Sequence, residues 1–139
     1  MRVLVAEDES RIAKQLTAAL SQAGYAVDCA ADGERADFLG QTERYDAVIL
    51  DLGLPRMDGL TVLRRWRDAG LTMPVLVLTA RGSWHEKVHG IDGGADDYVA
   101  KPFRIEEVLA IANDAAKRVV SVKRRMRLDQ ESSNERPNG

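Results

Sequence analysis

Short apolar runs alternate with amphipathic stretches along most of this chain. Five runs, RVLVA (2–6), YAVDCA (25–30), YDAVIL (45–50), PVLVLT (74–79) and DYVA (97–100), are rich in Val, Leu and Ile. Several are apolar throughout, the pattern of strands covered on both faces. Helical spacing fills the intervals. Over 10–23 the inward positions are Ile12, Leu16, Ala19, Leu20 and Ala23, with Ser10 as N-cap and Gly24 as stop. Over 58–69 they are Leu60, Leu63, Trp66 and Ala69, and Gly70 ends the helix. Weaker helical patterns cover 33–42 and 84–93. A longer one follows Pro102, with Ile105, Val108, Leu109, Ala112 and Val119 facing inward.

Strict alternation of five strands and five helices predicts an α/β fold, a doubly wound parallel sheet of (βα)5 form. Right-handed crossovers leave few topologies, and the flavodoxin-like strand order 2-1-3-4-5 is the common one at this length. In such a fold ligands bind beyond the carboxyl ends of the strands, near the point where strand order reverses. Strand 1 ends on Glu7-Asp8-Glu9, strand 3 on Asp51, strand 4 on Thr79 and strand 5 on Lys101. Strands 1 and 3 are predicted neighbours, so Glu7, Asp8 and Asp51 converge.

Three carboxylates so close repel one another unless a cation sits among them. Hard oxygen ligands without His or Cys select Mg²⁺ or a similar ion. With a hydroxyl and an ammonium group on the far rim, the set suits phosphoryl transfer to an aspartate, Asp51 as nucleophile and Thr79 and Lys101 contacting the phosphoryl oxygens. Taken singly, each residue has a plainer explanation: an Asp after a strand caps a turn, a lysine is solvated, a Thr favours a strand. Four strand ends that each present a matching part outweigh those explanations.

The stretches LVAEDE, VILDLGLPRMDG, VLVLTAR and GADDYVAKPF, in this order and spacing, resemble the receiver domain of bacterial two-component response regulators. DLGLP, RRWR, LTARGSW and FRIEEV are closest to the winged-helix (OmpR/PhoB) class and to its PhoP-like members. The resemblance implies that Asp51 accepts a phosphoryl group from a sensor histidine kinase. It implies that Asp8, Asp51 and the Gly53 backbone carbonyl ligate Mg²⁺, with Glu7 reaching the metal through water. Tyr98 becomes the aromatic switch beside Thr79, and the Lys101–Pro102 bond is expected to be cis. Activated members form homodimers through the face of the fourth helix, fifth strand and fifth helix, and the matching charges are Lys87, Asp96, Asp97, Glu107 and Arg118. Ile111 stands where an arginine is usual, which removes the bridge expected to Asp97.

The charge distribution adds a boundary. Residues 1–116 carry 13 basic and 19 acidic side chains, and 117–139 carry 7 and 3. Residues 1–120 are read as the receiver and 121–139 as a basic, then polar, disordered tail or linker. DNA contact is expected only through a winged-helix domain absent from this chain, so an isolated receiver and a single-domain regulator both stay open. The chain has no apolar run of the roughly 20 residues that span a bilayer. A single cysteine, Cys29, is read as buried and inert, and a cytoplasmic setting with no membrane partner is expected.

Residues 85–89, HEKVH, match the H-E-x-x-H pattern of zinc proteases, in which two imidazoles share a helix face. The extended motif fails, because Asp92 stands where it needs glycine. A haloacid-dehalogenase-type phosphatase needs a second Asp two residues after its nucleophile, and here that position is Gly53. A flavodoxin-like redox protein needs a phosphate loop after strand 1, where this chain is acidic. The chain therefore reads as a switch and not as an enzyme.

Overall fold

The computed structural model describes residues 1–80 and 94–117. The predicted helix over 84–93 with its HEKVH stretch and Lys87, and Arg118, Val119 and the tail, lie outside the described residues. Five strands, β1 (Arg2–Ala6), β2 (Ala26–Ala30), β3 (Ala47–Asp51), β4 (Val75–Ala80) and β5 (Asp97–Lys101), form one parallel sheet in the order β2-β1-β3-β4-β5. Helices α1 (Ser10–Gln22), α2 (Gly33–Thr42) and α3 (Gly59–Asp68) connect the first four strands. A last described helix covers residues 105–117.

The two-residue period of the strands divides the core into two layers. Leu4, Ala6, Val48, Leu50, Val75 and Val77 face α2 and α3, where Ala36, Leu39, Val62, Leu63 and Trp66 cover them. Val3, Val5, Ala47, Ile49, Leu76 and Leu78 face the other way, onto Leu16 and Leu20 of α1 and Val108 and Ala112 of the last helix. All five residues of β3 are buried, because β3 is the middle strand and is covered on both sides. Among the described residues no helix is long and apolar enough to cross a membrane.

Several local expectations change. The α1 N-cap is Glu9, whose side chain makes no capping bond, and Ser10 is already helical. Gly24 does stop α1, with φ +97, a conformation open to glycine at little cost. On α3 the buried positions are Gly59, Val62, Leu63 and Trp66, while Ala69 is exposed. Ala69 is the C-cap, one position beyond the last helical turn, so it leaves the inward stripe. Ala23, the C-cap of α1, is exposed for the same reason. Cys29 is exposed as well, because β2 is the edge strand; its sulfur meets the Thr17 hydroxyl of α1 at 3.1 Å.

Trp66 is fully buried between α2 and α3, and its indole N–H donates to the Asp37 carbonyl at 3.4 Å. Gly40 makes that possible. A Cβ at this position would lie 2.4 Å from the indole ring.

Candidate functional site

The C-terminal edge of the sheet gathers the residues singled out in the sequence. Asp51 is the last residue of β3, Lys101 the last of β5, and Glu7 the first after β1. Thr79, on β4, lies one residue beyond Leu78, the partner of Asp51 in the β3–β4 register. Glu7, Asp51 and Thr79 are buried polar residues, with 2%, 6% and 3% exposure, and Asp8 is exposed at the rim. Carboxylate oxygens of Glu7, Asp8 and Asp51 all lie within 4.8 Å of one another.

Lys101 enters this cluster directly. Its Nζ donates to Glu7 Oε1 at 2.6 Å and to Asp51 Oδ2 at 3.3 Å. The Lys101–Pro102 peptide bond is cis, as the resemblance implied. The other Asp51 oxygen, Oδ1, accepts from the Gly53 N–H at 3.1 Å. Sequence reasoning set Lys101 on the far rim, toward the phosphoryl group, and did not see its pairing with Glu7.

Electrostatics divides the two buried carboxyls. Burial, with the Asp51 carboxylate beside it, pushes Glu7 up to about 8, against the pull of Lys101. Burial also raises Asp51, but the neighbouring Glu7 carboxyl, the hydrogen bond from the Gly53 N–H and the charge of Lys101 outweigh it and hold Asp51 below the usual carboxylate range. Burial lowers Lys101, and its contacts with Glu7 and Asp51 more than reverse that. At neutral pH the site therefore holds an ionised Asp51 beside a protonated lysine, as a nucleophilic carboxylate requires.

The donor set fits a hard divalent cation. Glu7 Oε2 is buried and finds no hydrogen-bond partner among the described residues, a costly position for a buried carboxyl oxygen. Three crowded carboxyls with an orphaned oxygen, joined by no imidazole or thiolate among the described residues, match Mg²⁺ chemistry.

The remaining described candidates make other contacts. Tyr98 is half-buried on β5 and packs against the core layer under α2 and α3. Its N–H donates to Asp97 Oδ1 at 2.8 Å. Asp96 is held within the chain: its Oδ2 accepts from the Val75 N–H at 2.8 Å and pairs with Arg67 at 3.2 Å. Arg67 also donates to the carbonyls of Leu71, Met73 and Gly94. No signal in the sequence pointed to Arg67, which sits among other arginines of RRWR. Glu107 is exposed on the last helix, and Ile111 packs against its inner core layer.

Residues 3–113 match the response regulator receiver domain family. The chain is 50% identical over 110 residues to the virulence transcriptional regulatory protein PhoP of Salmonella typhimurium, and equally to the transcriptional regulatory protein PhoP of Escherichia coli K12. Each alignment covers 79% of this chain and 49% of the relative, so the chain spans about half the length of these proteins. Among solved structures, a Francisella response regulator receiver domain is 36% identical with TM-score 0.80, over 84% of this chain and 97% of that one. The receiver domain of a Pseudomonas aeruginosa sensor histidine kinase is 31% identical with TM-score 0.76, over the same shares, and carries a magnesium ion in its active-site cleft.

Proposed function

The chain belongs to the response regulator receiver domain family, and from that premise we propose that Asp51 is its phosphoacceptor. It is a receiver domain of a two-component response regulator and not a classical enzyme. The observation that carries the reading is Lys101, whose ammonium contacts buried Glu7 and Asp51 at the carboxyl ends of β1, β3 and β5.

In the proposed reaction an Asp51 carboxylate oxygen attacks the phosphorus of a phosphohistidine on a sensor histidine kinase. The new P–O bond forms as the P–N bond breaks, and the imidazole leaves with the bonding electron pair. The depressed pKa keeps Asp51 ionised for this attack. Lys101 and the Thr79 hydroxyl hold the phosphoryl oxygens that gain charge. A Mg²⁺ ion on Asp8, Asp51 and the Gly53 carbonyl, with Glu7 reaching it through water, would supply further positive charge there. Gly53 offers no carboxylate to activate water, so the acyl phosphate turns over slowly, as a switch requires.

Phosphorylation then draws Thr79 and Tyr98 inward and changes the face that bears β5 and the last helix. Homodimerisation uses that face, with the charges of Lys87, Asp96, Asp97, Glu107 and Arg118. Transcription regulation belongs to a longer protein with a winged-helix domain, acting in the cytoplasm.

Intact mass after incubation with acetyl phosphate and Mg²⁺ tests the central claim, beside Asp51→Asn and EDTA controls. One phosphoryl adduct on the parent, absent from both controls, supports it. No adduct on the parent, or an adduct that survives Asp51→Asn, overturns it.

A further inference from the structure

The loop that follows Asp51, residues 52–58, closes on itself. The Gly59 N–H donates to the Leu52 carbonyl at 3.0 Å, and a Cβ on Gly59 would lie 2.2 Å from the Asp51 carbonyl oxygen. The outer lip of this loop rests on the first turn of α2. There the Gly33 N–H donates to the Pro55 carbonyl at 3.0 Å, the same oxygen that takes the Met57 N–H at 2.8 Å. A Cβ on Gly33 would lie 1.7 Å from the Met57 carbonyl oxygen, which is backbone and cannot swing aside. Between these contacts Arg56 has φ +70, a conformation that a residue with a Cβ keeps only where its surroundings over-determine it. Asp32 caps the same turn of α2, accepting from the Arg35 N–H at 2.8 Å.

We propose that Gly33 is a positioning residue: its N–H and its missing side chain seat the 52–58 loop on α2 and so set the aim of Asp51 and Gly53 toward a cation. The inference rests on the reading of Asp51, Asp8 and Gly53 as the cation site. The coupling runs through backbone. Gly53 lies two residues before Pro55 and binds the Asp51 carboxylate through its own N–H, at 3.1 Å. A shift of the lip therefore reaches the carboxylate. The effect is on geometry, since Gly33 brings no charge or ligand of its own.

The test measures Mg²⁺ binding to the full chain by calorimetry, and separately hydrogen exchange at the Gly53 amide. Gly33→Ala places the Cβ against Met57. Asp32→Ala frays the turn that presents the Gly33 N–H, without adding an atom, and carries the test if Gly33→Ala does not fold. Gly40→Ala is the control, because it strains the same helix against Trp66, away from the loop. Supports that orient a metal site typically change affinity by about ten-fold or more. The expected result is a Mg²⁺ Kd raised about ten-fold in Gly33→Ala and several-fold in Asp32→Ala, with faster Gly53 exchange, and a Kd within about two-fold of the parent in Gly40→Ala. Equal Mg²⁺ affinity in Asp32→Ala and the parent, or an equal loss in Gly40→Ala, overturns the proposal. A parent that binds Mg²⁺ but takes no phosphoryl group from acetyl phosphate sinks the phosphoacceptor reading alone. A parent that binds no Mg²⁺ overturns both.

Discussion

Lys101 and Glu7 stand 94 residues apart in the chain and meet at 2.6 Å inside the site. Glu7 has no exposed side-chain surface and Lys101 keeps 22% of its own, so this pair is shielded on the carboxylate side. Replacing Lys101 with Met leaves Glu7 and Asp51 crowded without their cation. The expected loss is on the order of 1–3 kcal/mol in Mg²⁺-free buffer, the range for a charge-assisted bond removed from a buried partner. Urea unfolding at pH 7 measures it. Added Mg²⁺ should recover part of the loss, and a variant as stable as the parent without metal would show that the ammonium contributes nothing to the fold.

The proposed cation site exists only in the folded chain, where Glu7, Asp8 and Asp51 meet. Linkage then raises the melting temperature with Mg²⁺, by about 2.7 kcal/mol of stability at a hundred times the Kd. EDTA should reverse the rise. Asp8 is at the rim and exposed, so Asp8→Asn is expected to keep the metal-free stability within about 0.5 kcal/mol of the parent and to lose most of the Mg²⁺ response. Scanning calorimetry over a Mg²⁺ series decides. An undiminished response in Asp8→Asn would remove that residue from the cation site.

Arg67 joins α3 to the segments that lead into β4 and β5. Its guanidinium reaches three backbone carbonyls and Asp96 at once, between 2.9 and 3.2 Å. Lysine has one ammonium and no planar fork, so Arg67→Lys cannot serve those acceptors together. Both Arg67→Lys and Arg67→Ala are expected to lose about 2–3 kcal/mol, the cost of part-buried acceptors left unpaired. Thermal unfolding of the two variants tests this, and a neutral Arg67→Lys would contradict it.

Tyr45, Asp28 and Arg2 form a network between β1, β2 and the start of β3. The Tyr45 hydroxyl donates to Asp28 Oδ2 at 2.7 Å, and Arg2 pairs with the same carboxylate and lies over the Tyr45 ring. The hydrogen bond from Tyr45 lowers the Asp28 pKa, and Arg2 adds to it, against a smaller upward push from burial. A carboxyl depressed in the folded state stabilises above its unfolded pKa and loses that contribution as pH falls through the folded value. Asp28 keeps 37% side-chain exposure, so the discounted contribution is about 0.5–1 kcal/mol. Tyr45→Phe should therefore cost about that much at pH 7 and less below the ordinary Asp pKa of about 3.9. Stability curves from pH 7 down to pH 2 measure the gap, and a gap that widens toward acid would refute the assignment.

The elements that were legible in advance are those whose pattern is local. RVLVA is β1 residue for residue, and 33–42 is α2, because apolar period and turn residues act within a few positions. The strand order and the placing of Glu7, Asp51, Thr79 and Lys101 at one edge also followed, since a doubly wound sheet puts every strand end on the same side. Cys29 was misjudged because its strand alternates like an inner one, and only the sheet order makes β2 an edge.

What the sequence by itself determined, then, is the sheet, its order and which side chains stand at its carboxyl edge. Periodicity states which face a side chain takes but not which neighbour it meets there. The contact of Lys101 with Glu7, the capture of Asp96 by Arg67 across 29 residues, and the seating of the Asp51 loop on Gly33 were decided by how finished elements pack. Each joins segments with no shared local pattern, at separations where chain connectivity sets no distance.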